Sequence, residues 1–303
     1  MDETLYAAVL ETRGYIVGSS NAPSGLHVYT AGAGWQHRGW TNVRCFGIAR
    51  HEARSMLFLA AGNGVFRSLD DGATWRVMTG WEITEVLDLA LDPFDADTLW
   101  IATVHGLWRS PDLGETFLPV HPRTTQLFCQ TLAADRATAG RWFVGTETGL
   151  LCTETSGAQW HAPGPHDAAI RAICQSPSDP SVWLAGTEDR GLLHSTDGGR
   201  SWATHRPAGC DTFYAVAIHP AHPEILIAGG FDAGVCVSLD GGATWRRTGD
   251  DMPVQHVHAL AISPSGRFVA GTVHGGIYAS VDAGASWTFA GLPEATLYDL
   301  VYA

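Results

Sequence analysis

Residues 68–75 read Ser68-Leu69-Asp70-Asp71-Gly72-Ala73-Thr74-Trp75, and the pattern Ser-x-Asp-x-Gly-x-(Thr/Ser)-(Trp/Phe) within them returns four more times. The further copies run from Ser110 to Phe117, Ser195 to Trp202, Ser238 to Trp245 and Ser280 to Trp287. Two degenerate copies fill the gaps. Thr153, Thr155, Gly157, Gln159 and Trp160 keep the spacing without the aspartate, and Thr30, Gly32, Gly34 and Trp35 form a contracted version near the start. The third positions fall at 70, 112, 155, 197, 240 and 282, a step of 42 or 43 residues. A period near forty with strand-like content means stacked blades or a solenoid, because one unit alone cannot bury its apolar faces.

Within residues 84–118, four runs of strand length are separated by turn residues such as Pro93 and Gly106: Val86 to Leu91, Thr98 to Thr103, Leu107 to Ser110 and Thr116 to Pro119. The same runs recur in every repeat. They predict an all-β, seven-bladed β-propeller of four-stranded antiparallel blades, in one domain over 1–303. Thr4 to Val9 matches a second strand and Thr296 to Tyr302 a first strand. The C-terminal strand is therefore expected to complete the N-terminal blade, leaving no open sheet edge.

Composition narrows the function classes. A net charge of −13 without a basic stripe argues against nucleic acid as a partner. No apolar run is long enough for a membrane-spanning helix, so no membrane partner is expected. The acidic start, Met1-Asp2-Glu3, lacks the basic region of a secretory signal, which makes a cytoplasmic location the expectation. The six cysteines are scattered singly and read as reduced, mostly buried small hydrophobes.

The repeated pattern resembles the Asp-box, or BNR repeat, across essentially the whole chain. The resemblance implies that each box is a turn between the third and fourth strands of a blade. In it the aspartate accepts backbone N–H groups, the glycine permits the tight geometry and the aromatic residue packs between sheets. Sialidases share this repeat, but their Phe/Tyr-Arg-Ile-Pro segment is absent and no arginine triad can be assigned. Xyloglucan-cleaving enzymes resemble it too, with two propellers facing a cleft where this chain has one. Sortilin-type receptors use a larger propeller and photosystem assembly factors a single seven-bladed one, and neither offers a motif that can be placed here. The resemblance fixes the fold and says little about chemistry.

Aligning the innermost strands on a small residue (Gly47, Ala90, Ala133, Cys174, Ala217, Ala261, Val301) exposes a row that does not repeat. Three residues earlier stand Arg44, Leu87, Gln130, Arg171, Tyr214, His258 and Tyr298. Two residues earlier again stand Asn42, Glu85, Phe128, Ala169, Thr212, His256 and Thr296. The period of two along a strand puts both rows on one face, at the mouth of the central channel. Hairpin residues including Glu188 and His274, and link residues including Trp40, Trp81, His121, Arg123, His166 and Asp211, are expected at the same mouth. A long hairpin from Glu11 to Gly25 is expected to fold over the opening as a partial lid.

Convergent polar groups in a concavity are the usual mark of a ligand site, although a propeller mouth can also be a solvated funnel. Arg44 and Arg171, with Gln130 and Asp211, are the candidates for holding a small substrate that bears a carboxylate or phosphate. His256, His258 and His274 are the candidate ligands for a divalent transition metal, Zn, Mn, Fe or Cu. His258, Tyr214, Tyr298 and Glu85 are the candidates for acid–base work, by a lyase or hydrolase reaction with or without that metal. Two other readings stand beside this one. The mouth can hold a peptide or partner protein without catalysis, or Glu85 with Asp211 or Glu188 can form the carboxylate pair of an atypical glycosidase. No nucleophile elbow, phosphate-binding glycine loop or HExxH motif occurs.

Overall fold

A computed structural model describes residues 3–12, 24–51, 53–120, 127–164 and 167–303. Each Asp-box folds as the turn that its residues demand. In the copy at 68–75 the Ser68 hydroxyl accepts the Gly72 N–H at 2.8 Å, while the Asp70 carboxylate accepts the Thr74 N–H at 2.8 Å and its hydroxyl at 2.6 Å. Gly72 adopts a φ of 88°, which a side chain would resist, and the Trp75 indole N–H closes the turn on the Gly72 carbonyl at 3.0 Å. These hydrogen bonds, the one from the Thr74 hydroxyl foremost, pull the Asp70 carboxyl down to about 2. In the degenerate copy Thr155 replaces the aspartate, and its hydroxyl accepts the Gln159 N–H at 2.8 Å.

The described residues form seven sheets arranged as a propeller. Taken blade by blade around the ring, the innermost strands are Ala295–Tyr302 (blade 1), Cys45–His51 (blade 2), Val86–Asp92 (blade 3), Cys129–Ala134 (blade 4), Ile170–Gln175 (blade 5), Phe213–Ile218 (blade 6) and Val257–Ile262 (blade 7). Blade 1 closes the ring as expected: Ala295–Tyr302 pairs antiparallel with Leu5–Thr12, in a register that sets Leu5 opposite Tyr302 and Ala7 opposite Leu300. Six sheets have four strands and blade 4 has three. Its outermost segment keeps a single bridge, Cys152 to His161, before Pro163, whose missing N–H cannot extend a ladder.

The core lies between neighbouring blades. Trp100 of blade 3 stacks on Trp142 of blade 4 at 4.8 Å, and Phe143 of blade 4 meets Trp183 of blade 5 at 4.6 Å. All four rings are at most 1% exposed, so each inter-blade contact buries most of a large aromatic surface. The six cysteines are free, and burial pushes the thiols of Cys45, Cys129, Cys174 and Cys236 up to about 12, which leaves them unreactive. No helix among the described residues is long and apolar enough to cross a membrane.

Candidate functional site

Every innermost strand carries one β-bulge at the same place. The ladder to the second strand skips a residue between Cys45 and Gly47, Val86 and Asp88, Cys129 and Thr131, Ile170 and Ala172, Phe213 and Ala215, Val257 and Ala259, and Leu297 and Asp299. The seven skipped residues are Phe46, Leu87, Gln130, Arg171, Tyr214, His258 and Tyr298, and all seven line a central cavity of about 770 Å³. A bulge re-aims the side chain of its extra residue, and here it does so seven times toward one axis.

Six members of the sequence-derived row are therefore in place, and one is corrected. Arg44 is not in the ring; Phe46 is. Gly47 and Ala49 are both small, and the alignment on Gly47 sets blade 2 two residues early. Arg44 instead joins the outer tier with Glu85, Phe128, Ala169, Thr212, His256 and Thr296, exposed at the rim, its guanidinium carbon 5.8 Å from the Phe46 ring centroid.

Six of the seven ring side chains, all but Leu87, form a continuous belt. The Arg171 guanidinium donates to Gln130 Oε1 at 2.7 Å and pairs with Glu188, and its carbon lies 5.7 Å from the Tyr214 ring centroid. The His258 imidazole meets Tyr214 at 4.5 Å and Tyr298 at 5.5 Å, edge-on to both, and Tyr298 meets Phe46 at 5.2 Å. Burial, with lesser repulsion from His256 and Arg171, lowers the His258 imidazole to about 4. It is neutral in the neutral pH range. Among the described residues no group hydrogen-bonds its ring nitrogens, and the residue lines the cavity.

The three histidines expected to share a metal are not brought together. His256 stacks on Phe231 at 4.4 Å and its Nδ1 accepts the Asp232 N–H at 3.1 Å, toward blade 6. His274, at a φ of 56°, turns to Thr296 of blade 1, with Nδ1 and the hydroxyl 3.1 Å apart. His258 alone enters the ring. Among the described residues no three His, Cys, Asp or Glu side chains are placed to hold a metal ion. Glu85 and Asp211 also lie outside the channel: the Glu85 carboxylate stands beside Gly62 of blade 2, and Asp211 pairs with Arg206 at 3.3 Å. His121, Arg123, His166 and most of the expected lid, 13–23, fall outside the described residues.

Two titratable groups of the channel were not among the sequence-derived candidates. At the position after the bulge five blades carry Gly47, Thr131, Ala172, Ala215 and Ala259, and two carry Asp88 and Asp299. Both aspartates line the channel and reach to the next blade. Asp299 accepts the Ile48 N–H at 2.9 Å, and Asp88 accepts the Leu132 N–H and the Thr131 hydroxyl, each at 2.9 Å. Burial raises Asp88 to about 6; burial and the Asp88 charge raise Asp299 to about 7. Two acidic residues in a row that is otherwise small and neutral were the available signal.

No protein-family model matches the sequence, and no curated protein does either. Solved structures share its fold. A GH74 enzyme of Niastella koreensis superposes with a TM-score of 0.74 at 15% identity, over 93% of this chain and 55% of that one. A GH74 xyloglucanase from Xanthomonas campestris gives 0.68 at 20% identity, over 98% and 55%. A structure of YCF48 bound to a D1 peptide gives 0.62 at 12% identity, over 87% and 90%. The chain is thus a seven-bladed propeller, similar in fold to GH74 enzymes and to a propeller solved with a bound peptide, and it spans about half the length of the two GH74 chains.

Proposed function

We propose that the channel mouth binds a small polar molecule carrying a carbonyl or anionic group, and that His258 acts on it as a metal-free proton acceptor. The observation that carries this reading is the His258 imidazole: neutral, held edge-on between Tyr214 and Tyr298, and without a hydrogen bond to the described residues. A neutral imidazole that lines a cavity is equipped to accept a proton there. Tyr214 and Tyr298 flank it and supply phenol groups for orientation. Arg171, braced by Gln130 and Glu188, supplies the positive end of the belt. Because Glu188 offsets part of that charge, a neutral or singly charged group suits the site better than a phosphate.

A second reading is favoured by the rim. Trp81 is 91% exposed on the link into blade 3, and Phe231 is 55% exposed on the blade 6 hairpin, both at the channel end where the bulges lie. Exposed aromatic residues around a mouth suit a bound peptide, the kind of ligand carried by the similar YCF48 propeller.

A panel of small carboxylates, 2-oxo acids and amides, screened by saturation-transfer NMR and then followed for solvent deuterium exchange, separates the two. The enzyme reading expects a panel member that binds and exchanges a carbon-bound proton, with exchange lost in His258→Gln and retained in the presence of a chelator. Binding without exchange, and equal in His258→Gln, would leave only the scaffold.

A further inference from the structure

The box turns do a second job, visible where one of them is incomplete. A Cβ built on the box glycine would press on the preceding blade in every other repeat. Gly72 would meet Leu26 at 3.3 Å, Gly114 Met78 at 3.4 Å, Gly157 Val120 at 2.6 Å, Gly199 Phe143 at 2.4 Å, Gly242 His194 at 3.1 Å and Gly284 Val237 at 3.1 Å. Each turn therefore plugs the outer end of the groove between its own blade and the one before. In the contracted box of blade 1, Gly32 and Gly34 meet nothing within 4 Å. Only Trp35 reaches back, its indole N–H donating to the Ala290 carbonyl of blade 7 at 2.9 Å.

The groove left open at this seam is a cavity of about 200 Å³ between blades 7 and 1. Its walls are aromatic, formed by Tyr29, Trp35, Phe289 and Tyr302, and it carries one group of each charge, Arg267 and Glu3. Arg267 forms no ion pair or side-chain hydrogen bond with the described residues, and its Nε is buried without a partner. Glu3 is held in place by the Ser265 N–H, which donates to its carboxylate at 3.1 Å. The volume lies below the roughly 300–1,000 Å³ of drug-sized sites, which limits the occupant to one ring and its substituents.

We propose that this seam cleft is a binding site for an aromatic α-amino acid. The ring packs among the four aromatic side chains, the carboxylate takes the unpaired guanidinium of Arg267, and the ammonium faces Glu3. The pairing of one anion acceptor with one cation acceptor beside an aromatic slot selects this ligand over a simple aromatic acid or amine. The site is separate from the His258 ring and does not depend on what that ring binds.

Titration of the intact protein with L-phenylalanine, read by tryptophan fluorescence and by ligand-observed NMR, tests the assignment. Saturable binding is expected, about tenfold weaker for 3-phenylpropionate and for phenethylamine, each of which lacks one charge, and absent for L-leucine. Arg267→Met keeps the apolar stem and is expected to weaken L-phenylalanine about tenfold, whereas His258→Gln leaves it unchanged. Thr288→Trp, which blocks the cleft from an exposed position, is expected to abolish binding in a protein of unchanged circular dichroism. The proposal is overturned by no saturation up to about 10 mM. Equal affinity for 3-phenylpropionate, or unaltered binding in both Arg267→Met and Thr288→Trp, overturns it as well.

Discussion

At the scale of single residues, the channel holds titrating groups displaced in opposite directions. His258 is lowered to about 4, and Asp299 is raised to about 7. For Asp299 the folded state keeps its proton up to about 7, while the unfolded chain releases it near the ordinary 3.8. The stability that this carboxyl contributes is therefore greatest at the acid end and is lost as pH rises through that window. Asp299→Asn, which keeps one acceptor oxygen for the Ile48 and Leu300 N–H groups and cannot ionise, should be less stable than the parent by about 1–3 kcal/mol at the acid end, and the parent should lose that advantage as pH rises toward 7. Urea unfolding of both proteins across that range measures the difference; a difference that grows as pH rises would contradict it. Asp299 was overlooked in the sequence because its row looks structural. Five of seven positions there are small or neutral, and burial beside a second carboxylate becomes visible only when the blades are placed side by side.

At the scale of elements, the Asp-box and the bulge divide the work. The box was legible because its chemistry is local: a serine, an aspartate and a glycine at fixed spacing make one turn whatever surrounds them. The Ser238 hydroxyl is 1% exposed and accepts the Gly242 N–H at 2.9 Å, so Ser238→Ala leaves that buried donor unpaired. A loss of about 1–2 kcal/mol in chemical denaturation is expected, and a loss indistinguishable from zero would contradict the turn's role. The bulge was not legible, since an extra residue leaves no mark on an alternating pattern. Small residues two apart offer a choice of register in several blades, Ala215 or Ala217, Ala259 or Ala261, and Gly47 or Ala49; taking the later of the two matches the bulge in blades 6 and 7, and taking Gly47 in blade 2 missed it. The same blindness grouped His256 with His258: alternation puts them on one face of a regular strand, but the bulge turns His258 into the ring while His256 stays on Phe231.

At the scale of the whole molecule, closure makes the site possible. The strand Ala295–Tyr302 supplies Tyr298 and Asp299 to the channel while pairing with Leu5–Thr12, so the last element in sequence completes both the first blade and the ring. Similarity of fold to GH74 enzymes and to a peptide-bound propeller shows that this architecture serves catalysis and binding alike. What distinguishes this chain is which seven side chains its bulges present, and among them the neutral state of His258 carries the functional reading. A ¹⁵N titration of the His258 imidazole in the intact protein tests that state directly. The ring is expected to stay neutral throughout the neutral range and to accept a proton only near about 4. Protonation at or above the ordinary 6.5 would place His258 in solvent or in an ion pair, and would contradict it.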